Sequence, residues 1–275
     1  MQTNQHYYQM SSKMRNSLMM PKATSDRLRR LNCAAAVLHL VSAVILFALT
    51  DKDAKTPVYT FYANEHRGNQ TLYGPAHTLL GHARVGYLAG VFLLLASLDH
   101  AIVATVRREW YEYELQFAQN TVRWIEYAFS ASIMHIMIAM LCGVMSLYLL
   151  LAIFGLTATT MMFGLLQERM NWALQGKPLR KSMLPFWLGC IPYIVVWIIL
   201  FAVFGQSAAQ APVFVWIVMF GLFVNESLFA ANMYAQQREM GRWRDYIYGE
   251  YAFIVLSFTA KSMLAWTNFI GTRSL

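Results

Sequence analysis

The sequence predicts an all-α membrane protein of seven transmembrane helices, with a short β-hairpin in its first outer loop. Three observations predict it. The 275 residues are 57% hydrophobic and only 13% charged, against roughly 25% charged in an ordinary soluble domain. Seven apolar stretches are each long enough to cross a bilayer, which takes about 20 residues. Lysine and arginine gather in alternate connections, as the positive-inside rule requires of a multi-pass chain.

Residues 1–30, "MQTNQHYYQMSSKMRNSLMMPKATSDRLRR", are polar and basic and lack the uninterrupted apolar core of a signal peptide. They read as a flexible basic tail preceding one domain, residues 31–275. The first span covers about 31–50. The outer loop 51–77 follows, in which residues 58–62 (VYTFY) are β-prone, Gly68-Asn69 is a turn signal and residues 71–73 can return. A hairpin over the outer face is expected there, with an irregular loop as the alternative. Asn69-Gln70-Thr71 is a glycosylation sequon on the appropriate side, a weak signal because such triplets are common. Spans two to seven fall at about 84–106, 115–140, 143–167, 184–206, 213–236 and 247–270. Spans three and four form one nearly unbroken apolar block, divided near Cys142-Gly143. Cys33, Cys142 and Cys190 lie in or beside apolar helices, in no spacing that suggests a disulfide framework or a metal site.

Fifteen lysines and arginines fall in the tail and the connections that would share its side, against four on the other. The N-terminus is therefore expected in the cytoplasm and the C-terminus outside. The anionic inner leaflet accounts for the net charge of +8, and nucleic-acid binding is not needed to explain it.

Charges inside a membrane mark functional sites, each with a partner to be named. Here they are Asp99, Arg123, Glu126, Glu226 and Lys261, joined by His39, His100 and His135, with Glu168 and Glu250 near the inner ends of spans four and seven. Lys261 is open to two readings. It is either half of a structural ion pair or a reactive amine that forms a Schiff base with a carbonyl cofactor. Ser257, one turn earlier, and adjacent Ser262 place hydroxyls near its nitrogen. A buried cation needs a counter-charge, and Glu126 in "RWIEY" is the candidate, with Ser130 one turn beyond it. A third span starting at Val122 would leave Glu126 too shallow by about 15 Å at ~1.5 Å per residue. The span is therefore started near Leu115, with Gln116, Gln119 and Asn120 as its inner polar face.

Arg123, Glu168, Tyr246 and Glu250 then make an inner polar network, or else separate interfacial charges that each reach water. His39 and His100 are either satisfied core residues or a proton-accepting cluster near Glu126. Glu226 is either hydrogen-bonded structurally or a proton station on a conduction path. Asp99 points away from His100, toward a water pocket. Trp124, Tyr127, Trp187, Tyr193, Trp197, Trp216, Phe220 and Trp266 could wall a flat polyene, or simply fill the core and anchor the helices.

On "WRDYIYGEYAFIVLSFTAKSMLAW" (243–266), "RWIEYAFSAS" (123–132) and, more loosely, "LFVNESLFAANMY" (222–234), the seven-helix body resembles the heliorhodopsins. The resemblance implies all-trans retinal bound covalently to Lys261, with Glu126 as counterion and Ser257 close to the nitrogen. It implies proton acceptance at His39 and His100, and an inner network of Arg123, Glu168, Tyr246 and Glu250. It also implies a homodimer and a photoreceptor rather than an enzyme. Most members are regarded as sensors without ion transport, while some viral members pass protons. Glu226 departs from the uncharged residue expected in span six, which leaves light-gated proton conduction open beside purely sensory photoreception. A retinal-free transporter or receptor, with Lys261–Glu126 a plain salt bridge, is the third reading. The downstream partner is not legible.

Overall fold

The computed structural model describes residues 20–65, 73–173 and 181–273. Its helices are α1 (Lys22–Leu49), α2 (Val85–Ala104), the short α3 (Arg108–Gln116), α4 (Thr121–Leu141), α5 (Leu147–Ala173), α6 (Leu184–Ser207), α7 (Val213–Gln237) and α8 (Tyr246–Arg273). All but α3 are long and apolar enough to span a membrane. Each crossing helix has 20 to 28 residues, or roughly 30–42 Å at 1.5 Å per residue. Apolar side chains cover the outer faces as well as the core. Ile198 is 61% and Val213 75% exposed, as expected of helices solvated by lipid.

α1 begins at Lys22, directly after Pro21, so the last nine residues of the expected tail, 22–30, are helical. The backbone of α1 buries Leu28, Asn32, Ala35, Ala36, His39, Ala43 and Leu46 at helical spacing, mostly against α2. The expected hairpin is present and longer than the sequence suggests. β1 (Thr56–Glu65) pairs antiparallel with β2 (Tyr73–Ala83), in a register running from Thr56 opposite Ala83 to Glu65 opposite Tyr73. The Gly68-Asn69 turn and the sequon lie outside the described residues. The amide of Tyr59 donates to the Met145 carbonyl at 2.8 Å, which ties the hairpin to the α4–α5 turn.

That turn settles the boundary between spans three and four. Gly143 adopts φ 95°, and the Val144 and Gly143 amides donate back to Ala139 and Met140. This is the paired-bond helix stop that favours glycine in the left-handed region. Ala118, at φ 54°, ends α3 with the same pattern, its amide and that of Gln119 reaching Leu115 and Glu114. Asn120 then caps α4, accepting from the Arg123 amide at 3.1 Å. The helix started near Leu115 is thus corrected: Gln116, Gln119 and Asn120 are not one face of it, because the chain breaks and restarts between them.

The half of the bundle nearer the hairpin is a packed apolar core, with Phe92, Leu93, Ile138, Leu200, Met219, Leu222 and Leu264 essentially unexposed. The opposite half, where α1 begins, holds most of the buried charge.

Candidate chromophore site

Lys261 stands on the inward stripe of α8 with Phe253, Ser257 and Leu264. Its Nζ is 3.0 Å from each carboxylate oxygen of Glu126 and donates to Ser257 Oγ at 2.9 Å. The Tyr127 ring lies 5.0 Å from the same nitrogen. Lysine and glutamate are both buried, so this is an ion pair shielded from water, and each charge depends on the other. Ser257 is the hydroxyl that reaches the nitrogen.

The pair forms although α4 starts at Thr121, which the depth argument had excluded. Side chains are not points, and the helices need not begin at one level. Helical Cβ atoms tilt toward the N-terminus, so Lys261 reaches back one full turn to Ser257. Arg123 reaches across to Glu250, five residues into α8. The two side chains therefore meet although Glu126 lies nearer the start of its helix than Lys261 does.

Arg123 is the centre of a second buried cluster. Its guanidinium donates to Glu250, to Glu168 Oε1 at 2.6 Å and to the Tyr246 hydroxyl at 3.0 Å, and Tyr246 in turn donates to Glu168 at 2.9 Å. The Phe253 ring lies 4.0 Å from the guanidinium carbon. The structure therefore brings Arg123, Glu168, Tyr246 and Glu250 together as one network rather than as separate charges. Two members were missed. Asn120 donates to Glu250 at 2.9 Å while its amide donates to Glu168 at 2.9 Å, and Tyr111 of α3 donates to Glu250 at 3.0 Å. Burial, followed by the Glu250 charge, pushes the Tyr111 phenol well above its usual range, so it remains a neutral donor. Asn immediately before an apolar run is a capping signal, and it was available at Asn120.

His39 and His100 are both buried, with rings stacked at 5.9 Å. His100 Nδ1 lies 2.7 Å from Asn32 Oδ1, whereas His39 Nε2 has no hydrogen-bond partner among the described residues. Asp99, His100, Glu126, Arg123 and Glu250 line a small polar cavity of about 20 Å³, enough for one water. Asp99 does face that pocket, with Oδ1 buried and without a hydrogen-bond partner among the described residues. Glu226 lies elsewhere. It accepts from Trp197 Nε1 at 3.1 Å and sits 3.2 Å from His135 Nε2, so it joins neither His39 nor His100.

Lys261 also opens onto a largely apolar cavity of about 120 Å³ that runs between α4, α5, α6, α7 and α8. Two glycines keep it open. A Cβ on Gly164 would meet the Trp124 ring at 2.3 Å, and one on Gly189 would meet Phe163 at 2.9 Å. Ser130 lines the cavity with a wholly buried hydroxyl that has no hydrogen-bond partner among the described residues. An elongated apolar molecule bearing one carbonyl, placed at the buried amine, fits these walls. Of the proposed aromatic walls, Trp124, Tyr127 and Tyr193 line it. Trp266 does not, and packs near Phe269 instead. Trp187, Trp216 and Phe220 face outward, and Trp197 stands behind Glu226. Phe186, Phe229 and Phe253 take those places. Helices that are apolar all round give no periodic signal for which aromatic turns inward.

The sequence profile of the heliorhodopsin family matches residues 28–273. No curated protein sequence matches the chain. Among solved structures, the light-driven proton pump LR (Mac) from Leptosphaeria maculans superposes with a TM-score of 0.63 at 14% identity, covering 94% of this chain and 99% of its own. At that identity the likeness establishes the fold alone.

Proposed function

Because the chain belongs to the heliorhodopsin family, we propose that it is a photoreceptor carrying all-trans retinal on Lys261, and that it answers light with a conformational change of the bundle. The observation that carries this reading is the buried Lys261 amine, held by Glu126 and Ser257 at the end of an apolar cavity. Bound there, retinal supplies visible absorption and light-driven isomerisation. Lys261 provides the attachment nitrogen, and Glu126 balances its positive charge. Trp124, Tyr127 and Phe253 shape the cavity floor and exclude water, while Ser257 fixes the nitrogen's position.

A proton leaving that nitrogen has Glu126 beside it and, across the small polar cavity, His100 and Asp99. Arg123 and Glu250 line this cavity, and with Glu168 they tie α4 to α5 and α8. Movement at Glu126 would therefore be transmitted to α5 and α8 through the residues that hold Arg123. A membrane orientation with the N-terminus in the cytoplasm rests on the lysine and arginine count, and a homodimer rests on the family. Glu226 lines the cavity of Lys261 and is engaged with Trp197 and His135 rather than with the histidines near Glu126, so a conduction path through it would run by way of His135.

Spectroscopy with retinal tests the counterion. Acidification, or Glu126→Gln, removes the charge that stabilises the cationic nitrogen in the ground state, so the absorption maximum should move to longer wavelength. An unchanged maximum in Glu126→Gln would mean another group is the counterion. Voltage clamp under illumination should record no photocurrent. A light-dependent current that follows membrane voltage and disappears in Glu226→Gln would replace the sensor with a proton conductor.

A further inference from the structure

We propose that Glu226 is a colour-setting residue, whose carboxylate places negative charge on the chromophore cavity away from Lys261 and shifts absorption to longer wavelength. This rests on the retinal reading of the cavity. Three observations carry it. Glu226 lines the same cavity as Lys261, and its side chain is only 11% exposed. Its neighbours are Trp197 on α6, which donates to it, and His135, which shares α4 with Glu126 and is itself fixed to Thr157 of α5 at 3.0 Å. His135 stands nine residues beyond Glu126 along α4, or roughly 13 Å at 1.5 Å per residue. The two carboxylates therefore address different parts of anything that fills the cavity.

Their effects on colour have opposite signs. In the ground state the positive charge sits at the nitrogen, and light absorption displaces it along the conjugated chain. Negative charge beside the nitrogen lowers the ground state and widens the gap. Negative charge further along lowers the excited state and narrows it, and burial keeps water from screening either. A carboxylate serving only as acceptor for the Trp197 indole would have no such effect, because glutamine retains an acceptor oxygen in the same place.

The test compares absorption spectra of full-length protein reconstituted with all-trans retinal. Glu226→Gln should move the maximum to shorter wavelength, opposite to Glu126→Gln, and Glu226→Asp should restore most of the wild-type position. An unchanged or red-shifted Glu226→Gln pigment overturns the proposal while leaving the retinal reading intact. A wild-type protein that forms no pigment overturns both. Should Glu226→Gln form no pigment, Glu226→Asp decides: a maximum displaced as far as that of Glu226→Ala would rule out charge as the cause.

Discussion

Replacing Lys261 by alanine should yield a protein with no visible absorption after incubation with retinal. Among the described residues Lys261 carries the one amine that lines the cavity, so its loss removes the attachment point outright. The single substitution has a second consequence. It strands Glu126 as a buried charge without a cation, and breaking a buried pair in this way costs about 3–5 kcal/mol. Lys261→Ala combined with Glu126→Gln removes both charges and should regain much of that loss while remaining colourless. A visible band in either variant would mean that the cavity colours its ligand without a covalent bond to this residue.

Arg123→Gln should be the most destabilising substitution outside the cavity. Glu168 and Glu250 would both be left buried without their cation, although Tyr246, Tyr111 and Asn120 would still donate to them. Those neutral donors cannot replace the charge, so a loss of about 3–5 kcal/mol is expected, read as a marked fall in the thermal midpoint of the detergent-solubilised protein. Lys181→Ala is the control. Its partner Glu239 is 55% exposed, and surface pairs of that kind contribute about 0–1 kcal/mol. Equal melting of the two variants would show that the Arg123 network is not a closing element of the bundle.

Both clusters could be read in the sequence because the membrane makes unpaired charge expensive. With few ionisable residues in seven apolar helices, Lys261 had few candidate partners, and Arg123 lay among Glu168, Glu250 and Tyr246. The turn at Ala118 was hidden, since an alanine carries no sign of a left-handed backbone, and the polar run from Gln116 to Asn120 imitates a helix face. Side-chain reach was hidden as well: counting residues from a helix start cannot show that Lys261 leans back a full turn. The pairing of Glu226 with His135 was missed although both residues stood out as ionisable. They lie on spans three and six, and nothing local in either segment sets their relative rotation. The same limit applied to Trp266, whose place at the cavity is taken by residues such as Phe253.

The attachment of retinal to Lys261 is the claim on which the rest depends. Reducing the pigment with borohydride would convert the labile linkage to a stable amine, and peptide mapping by mass spectrometry would then locate the added mass. The account predicts a single modified peptide, with the modification on Lys261. A retinyl group on any other lysine, or a coloured protein from which reduction leaves no modified peptide, would contradict it.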